Sequence, residues 1–472
     1  MDKTDTEPSA IPAAAAWIDE YLADPDRYPV LPQVEPGQIR ELLPDAAPVE
    51  GEPISRILED FRAIILPGIT HWNHPRFMAY FATSSSEAGI VGEMLTSALN
   101  VNGMLWRTSP SATELEEVVV RWLRRLMGIE QEWFGMITDT ASISTMLALA
   151  AAREAREELR VGELGLAGRP DVPMLRVYCS SQAHSSVEKG AMALGIGQVN
   201  VVKIPSDAAF RMRPDALARA VRADRDAGML PLACVATVGT TSTTSVDPVP
   251  EIADICEREN LWLHVDAAYG GALAVVPEHR DILEGVDRAD SMVVNPHKWL
   301  FTPMDCSVLY TRRPDALRRA FSLTPEYLQT SQSGVVNFMD YGVQLGRRFR
   351  ALKLWMVLRH FGANGIAARI RGHCELAREF ASRVEAGDGW EVMAPVPMSV
   401  VCFRYAPAGS SEEELDRLNE QIMHRINSGG SAYLSHTRLD GRYTLRVAIG
   451  NLQTTRGHTT ELWNALMQAA RA

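Results

Sequence analysis

The 472-residue sequence lacks any Cys-x-x-Cys pair and any regular cysteine spacing. Its six cysteines, Cys179, Cys234, Cys256, Cys306, Cys374 and Cys402, are scattered, which argues against a disulfide framework or a zinc knuckle and for a reducing compartment. No apolar stretch approaches the roughly 20 residues a membrane helix requires. The first residues, Met1 to Pro8, are polar and mainly acidic, unlike the basic and then apolar start of a secretory signal. Together these predict a cytoplasmic protein with no membrane partner. An excess of positive charge is also missing. The net charge of −12 repels a phosphate backbone, so no nucleic acid partner is expected. Internal repeats are absent, and compositional bias is confined to an Ala-rich and Pro-rich start. What remains is ordinary for a globular protein, 46% apolar and 22% charged, and long enough for roughly three domains of about 150 residues.

Residues 11–23 read as a helix. The proline-rich passage after it (Pro25, Pro29, Pro32, Pro36, Pro44, Pro48, Pro53) cannot sustain regular structure and is expected to form an arm laid over another surface. Tyr28, Val30, Leu31 and Val34 give that arm apolar anchors. Thr113 to Glu116 reads as a capping box opening an amphipathic helix through Val118, Val119, Trp122, Leu123 and Leu126, closed by Gly128. Short β-branched runs then alternate with helical stretches, at 175–179, 199–204, 232–238, 261–265, 291–294 and 307–310. That alternation predicts an α/β fold with a mainly parallel sheet covered on both faces. After residue 350 a helix over 351–361 leads into a smaller α+β tail, with strands at 399–405 and 443–449 flanking a helix near 411–427.

Ligands of such sheets bind beyond the carboxyl ends of the strands. One apolar run ends in His264-Val265-Asp266 and a later one in Asn295-Pro296-His297-Lys298. On position alone Lys298 could be a solvated strand terminus. With Asp266 upstream, the two supply what pyridoxal phosphate needs: an amine to form a Schiff base with its aldehyde, and a carboxylate to keep the pyridine nitrogen protonated so that the ring accepts electrons. His264 and Asp266 share a strand face and could instead ligate a metal, as could His71 and His74, but neither pair has a third ligand in evidence. No metal is therefore expected. Asp139-Thr140-Ala141-Ser142 precedes a helical stretch, so it reads either as a simple N-cap or as a phosphate cradle. His184 follows a strand end, where an imidazole could cap, pack, or lie over a cofactor ring. Tyr327 sits in a polar, aperiodic stretch that reads as a loop able to bring a phenol to a site.

With these residues in view, the chain resembles the group II pyridoxal phosphate-dependent decarboxylases, and among them the aromatic L-amino acid decarboxylases. The resemblance runs through Thr70 to Phe81, Ser109 to Glu116, Gln182 to Glu188, Ala236 to Thr241, His264 to Tyr269, Asn295 to Leu300 and Leu345 to Arg350. It implies a fold type I enzyme with a mainly parallel seven-stranded sheet flanked by helices. The arm at 1–85 would pack on a partner subunit, 86–350 would form the large cofactor domain, and 351–472 the small C-terminal domain. It further implies a homodimer with a shared active site. Lys298 would form the cofactor linkage, Asp266 pair with the pyridinium and His184 stack on the ring. Thr140, Ala141, Ser142, Asn295 and His297 would hold the phosphate, with Thr241 and Ala268 lining the ring site. Trp72, Tyr80 and Phe81 would shape an aromatic substrate pocket. Tyr327 would protonate the carbon that loses carbon dioxide. Related aldehyde synthases typically lack either that tyrosine or the stacking histidine, so retention of both favours amine formation.

Three features bear on substrate choice and on the cradle. Asn102-Gly103-Met104 stands where animal aromatic decarboxylases usually carry bulkier residues facing the neighbouring subunit's pocket. Asp139 stands where a glycine is common. Gly346 matches members that accept large rings. The resemblance leaves tryptophan, phenylalanine, tyrosine and dihydroxyphenylalanine all as candidate substrates.

Overall fold

The computed structural model describes residues 9–323 and 334–471; Tyr327 lies outside them. The chain divides into two compact units, one formed by Thr83–Ala381 with Val392–Cys402, the other by Met1–Ala82, Ser382–Glu391 and Phe403–Ala472.

The first unit is built on a seven-stranded sheet. Its strands are β1 (Phe134–Thr138), β2 (Leu175–Ser180), β3 (Val201–Ile204), β4 (Leu230–Thr237), β5 (Trp262–Asp266), β6 (Ser291–Val294) and β7 (Ser307–Thr311), in the spatial order β1-β7-β6-β5-β4-β2-β3. Only β7 runs antiparallel to its neighbours, β6 and β1. The predicted α/β class and mainly parallel sheet are present. β1 went unrecognised in the sequence because Gly135 and the closing Thr138-Asp139 interrupt its apolar pattern. The strands are apolar on both faces because helices cover both. Val177, Cys179, Ala233, Val235 and Trp262 pack against Leu147, Ala148, Ala151 and Ala152 of the helix Ala141–Glu154. Each fully buried Val or Leu contributes about 1.5–3 kcal/mol, which makes the sheet a rigid platform for whatever its carboxyl ends carry. All six cysteines are buried and unbridged.

The capping box expected at Thr113–Glu116 does not form. The helix starts earlier, spanning Pro110–Leu126, with proline at the first position, where its missing N–H costs nothing. Glu116 is therefore inside the helix and buried, accepting from the Ile137 amide and the Arg347 guanidinium, each at 2.7 Å. A buried carboxylate is tolerated there because it is both paired and hydrogen-bonded. The helix expected at 351–361 is the first part of Ala351–Ala386, whose helical path is interrupted at Gly362, with φ of +60°.

In the second unit the predicted helix is present at Ile11–Ala23. The proline-rich passage is not wholly irregular: it forms short turns at Pro25–Arg27 and Gln38–Glu41. Val30 is fully buried against Phe77, Ala79 and Tyr433, and its amide donates to the Gly430 carbonyl at 3.0 Å. That anchor of the arm thus packs on its own chain. A four-stranded sheet has the order β10-β11-β9-β8, with β8 (Trp390–Val392), β9 (Val400–Tyr405), β10 (Ser435–Leu439) and β11 (Arg442–Ala448). The helix Glu412–Ser428 opens on a capping box of Ser411 and Glu414. Among the described residues no helix is long and apolar enough to cross a membrane.

Candidate active site

Asp266 ends β5 and is 6% exposed. Its Oδ1 accepts from the Ala268 amide at 3.1 Å, and the Ala268 carbonyl accepts from the Asn295 amide at 3.1 Å. The segment following β5 is thereby tied to the one following β6. Close packing holds it: a Cβ on Gly270 would lie 2.5 Å from the Val238 carbonyl oxygen, so β4 and this loop approach more closely than any side chain allows.

Lys298 lies on the single-turn helix Pro296–Trp299, where its amide donates to the Asn295 carbonyl at 3.0 Å. The next residue, Trp299, anchors that turn. It is fully buried, stacks on Tyr269 with centroids 4.7 Å apart, and donates through Nε1 to His373 Nδ1 at 3.0 Å. Tyr269 in turn bonds Ser399 Oγ at 2.6 Å. Lys298 is therefore carried on backbone fixed from below.

His184 is held by its edge, Nδ1 accepting from the Ser186 amide at 3.1 Å, and remains solvent-accessible on its other side. The protein around it nonetheless lowers its pKa; the Asp266 carboxylate opposes that shift and the Lys298 ammonium adds to it. The carboxylate, amine and imidazole singled out in the sequence thus form one electrostatic cluster.

His297 Nδ1 accepts from the Cys306 amide at 3.0 Å. Burial, and then the Lys298 and Lys353 charges, push its pKa down to about 3. The ring is neutral with its proton on Nε2, hence a donor to an anion. Asn295 contributes a buried Oδ1 with no hydrogen-bond partner among the described residues. Thr140 stands at the N-cap position of the helix Ala141–Glu154 without a side-chain capping bond, and the first-turn amides have no carbonyl within the helix to receive them. Asp139 changes this cradle: its Oδ1 accepts from the Thr140 amide at 2.7 Å, and its Oδ2 lies 3.5 Å from Gln344 Nε2. That amide is therefore satisfied within the chain, leaving the Ala141 and Ser142 amides to an anion.

Asn102, Met104 and Gly346 also come together. The Asn102 Oδ1 accepts from the Arg347 amide at 3.0 Å, and the Gly103 amide donates to the Arg347 carbonyl at 2.8 Å. A Cβ at Gly346 would meet Asn102 Nδ2 at 3.7 Å, an ordinary contact, so a serine fits there within this chain. Sequence reasoning missed the Glu116–Arg347 pair beneath this clasp because the two residues are far apart along the chain and resemble ordinary surface charges.

Trp72, Tyr80 and Phe81 belong to the other unit. Trp72 stacks on Tyr80 at 5.9 Å, Tyr80 bonds Tyr433 through their hydroxyls at 3.2 Å, and Arg446 lies over Phe81 at 4.7 Å. Tyr433 and Arg446 were not singled out in the sequence. The alternative metal pairs are otherwise engaged. His71 Nδ1 bonds the Tyr21 hydroxyl at 3.0 Å, His74 pairs with Asp26 at 3.3 Å, and His264 Nδ1 bonds Ser291 Oγ at 2.9 Å. Among the described residues no three potential ligands gather into a metal site.

The buried histidines set an acid limit on stability. Burial lowers His264 to about 4 and His297 to about 3, whereas an unfolded histidine titrates near 6.5. The unfolded chain then binds more protons below that pH, so stability is present above about 6.5 and is lost as pH falls toward 4. The His264 and His297 rings of the folded protein should stay neutral down to pH 5, read from their ring 15N shifts by NMR, each then costing about 2 kcal/mol of stability between pH 7.5 and pH 5. Imidazolium shifts at pH 5 in the folded protein would overturn this.

The model of the family described as "Pyridoxal-dependent decarboxylase conserved domain" matches residues 36–406. The chain is 39% identical to phenylacetaldehyde synthase of Arabidopsis thaliana, over 96% of this chain and 94% of that protein. It is also 39% identical to tyrosine decarboxylase 4 of Petroselinum crispum, over 97% and 91%. The crystal structure of Oryza sativa TDC with PLP and tryptamine superposes with a TM-score of 0.94 at 35% identity, covering 100% of this chain and 99% of that one.

Proposed function

The chain belongs to the pyridoxal-dependent decarboxylases, and on that premise we propose that it converts aromatic L-amino acids to the corresponding arylalkylamines and carbon dioxide. The observation that carries this is the cluster of Asp266, Lys298 and His184 at the carboxyl ends of the strands. When bound, pyridoxal phosphate supplies an aldehyde for the substrate amine and a protonated ring that takes up the electron pair left behind when carbon dioxide departs. Lys298 would be the covalent attachment point for the cofactor aldehyde, its amine being the nucleophile this site offers. Asp266, a buried carboxylate, would face the pyridine nitrogen and keep it protonated. His184 presents a ring face. The Ala141 and Ser142 amides, the Thr140 hydroxyl, Asn295 and the His297 Nε2–H bind phosphate oxygens, while Thr241 and Ala268 line the ring site. Trp72, Tyr80 and Phe81 favour an aromatic side chain over a charged one. Asn102 and Met104, beside Gly346, face the neighbouring subunit's substrate pocket and add room and polarity there. Tyr327 supplies the proton that takes the place of carbon dioxide at Cα.

The working species is a homodimer in the cytoplasm. Exposed apolar residues support the dimer: Val91, Met94, Leu95 and Leu99 share one side of the helix Glu87–Leu99, and Leu42, Val49 and Ile57 are exposed along the N-terminal segment. Patches of this kind mark association surfaces. Sedimentation showing an active monomer would overturn that assembly.

An oxygen-consuming aldehyde synthase is the second reading, favoured by the similarity to phenylacetaldehyde synthase. Product analysis by mass spectrometry separates the two, with dissolved oxygen followed in parallel and each aromatic amino acid supplied in turn. Amine with constant oxygen supports the decarboxylase, whereas aldehyde with oxygen loss supports the synthase.

Asp139 gives a prediction peculiar to this chain. Its carboxylate stands beside the amides offered to a phosphate dianion, and like charges disfavour one another. Asp139→Asn should tighten pyridoxal phosphate binding by about tenfold, read as the dissociation constant from an absorbance titration. Unchanged or weaker binding would mean that the Asp139–Thr140 bond, rather than the charge, governs the cradle.

A further inference from the structure

His264 is left without a role by the chemistry above, yet it is fully buried one strand-face neighbour below Asp266. In β4 and β5 the register pairs Val235 with His264 and Thr237 with Asp266, and in β5 and β6 it pairs His264 with Ser291. Residues two apart on a strand share a face, and register partners in a parallel pair lie on the same side. His264, Asp266, Thr237 and Ser291 therefore all project from one side of the sheet.

Two buried polar atoms in this group have no hydrogen-bond partner among the described residues: His264 Nε2 and Thr237 Oγ1. The remaining hydrogen bonds decide what His264 Nε2 is. Trp262 Nε1–H, which can only donate, points at Ser291 Oγ at 2.8 Å. The serine's own proton is then available to its other partner, His264 Nδ1, at 2.9 Å. We assign Nδ1 as the acceptor in this bond, which puts the imidazole proton on Nε2. The chain Trp262–Ser291–His264 thus delivers a donor to the side of the sheet that carries Asp266. The charge of Asp266 acts on the His264 ring, and the carboxylate makes its bond to the Ala268 amide through Oδ1.

We propose that His264 Nε2–H and the Thr237 hydroxyl hold one buried water against the Asp266 carboxylate, making His264 and Thr237 positioning residues for that group. A buried water needs two to four polar partners, and these three groups supply them. Donors converging on the carboxylate favour its charged form, which is the form that keeps the pyridine nitrogen protonated. The inference rests on the assignment of Asp266 to the cofactor ring.

The test compares His264→Leu, His264→Gln and Thr237→Val as holoenzymes. Glutamine places an amide donor near the position of Nε2, and leucine places none. His264→Leu should lower kcat about ten- to a hundredfold with KM little changed. It should also move the ring-nitrogen resonance of bound 15N-labelled pyridoxal phosphate toward the unprotonated value. Thr237→Val should do the same to a smaller degree, and His264→Gln should recover most of both signals. An unmoved nitrogen resonance in both His264→Leu and Thr237→Val would overturn the proposal, as would equal losses in the Leu and Gln variants. A high-resolution crystal structure of the wild-type holoenzyme, which needs no variant to fold, should show the water within hydrogen-bond distance of all three groups; no water there would also overturn it. Failure of the functional reading is distinguishable, because wild-type protein would then neither bind the cofactor nor release carbon dioxide.

Discussion

Lys298→Ala should lose the borohydride-trappable lysine–cofactor adduct and at least about 10⁴-fold of kcat/KM, as expected when a covalent catalytic group is removed. The sequence makes this unusually decisive. It contains only five lysines: Lys3, Lys189, Lys203, Lys298 and Lys353. Lys353 is 1% exposed and its amine lies 2.6 Å from the Glu93 carboxylate, so it is already engaged. Lys203 pairs with Glu188 at 3.1 Å. Lys189 and Lys203 lie near enough for their charges to act on His184, which makes them the natural sites of a mistaken assignment. Peptide mapping of the trapped wild-type protein should place the adduct on Lys298. An adduct on Lys189 or Lys203, or one surviving in Lys298→Ala, would displace Lys298 from its role. Cofactor should still bind the variant reversibly, because the groups assigned to the phosphate and to the pyridine nitrogen are all retained.

The place of that lysine, just past a strand end, could be read from sequence because its signal is local: an apolar run followed by Asn295-Pro296-His297-Lys298 marks where a strand stops. The strand-end places of Asp266 and His184 were legible for the same reason, and β6 was predicted with the residues it has, Ser291–Val294. Features that depend on a distant partner were not legible. Glu116 reads as the last member of a capping box, and only the fold shows it buried beneath Arg347. The arm reads as a covering for another surface, and only the fold shows where one of its anchors goes: Val30 packs among Phe77, Ala79 and Tyr433 of the same chain. His264 reads as half of a metal pair; its proton position follows from Trp262 and Ser291, the latter on a neighbouring strand. Asp139 was visible as a departure from the expected glycine. That its carboxylate would take the Thr140 amide required coordinates.

Tyr327→Phe should redirect most turnover from amine to aldehyde while the overall consumption of amino acid continues. The argument is one of proton supply. Loss of carbon dioxide leaves an electron pair at Cα that must be met by an acid, and a positioned phenol contributes about 10² to 10⁴ in rate at such a step. Phenylalanine keeps the ring's bulk and removes only the proton, so amine formation should slow by about a hundredfold or more. His184 cannot simply replace the phenol: its Nδ1 is engaged by the Ser186 amide, and its surroundings lower its pKa. Molecular oxygen, present in any aerated assay, then accepts two electrons from the unprotonated carbon. Each amino acid consumed with one oxygen and one water yields one aldehyde, one carbon dioxide, one ammonia and one hydrogen peroxide. The variant should therefore consume oxygen in equal amount to the carbon dioxide released, with peroxide rising in step, whereas the wild type should consume almost none. Undiminished amine formation with no oxygen uptake would take the proton-donor role from Tyr327. In that case the acid must be another group close to Lys298, and Lys298 itself becomes the next residue to test.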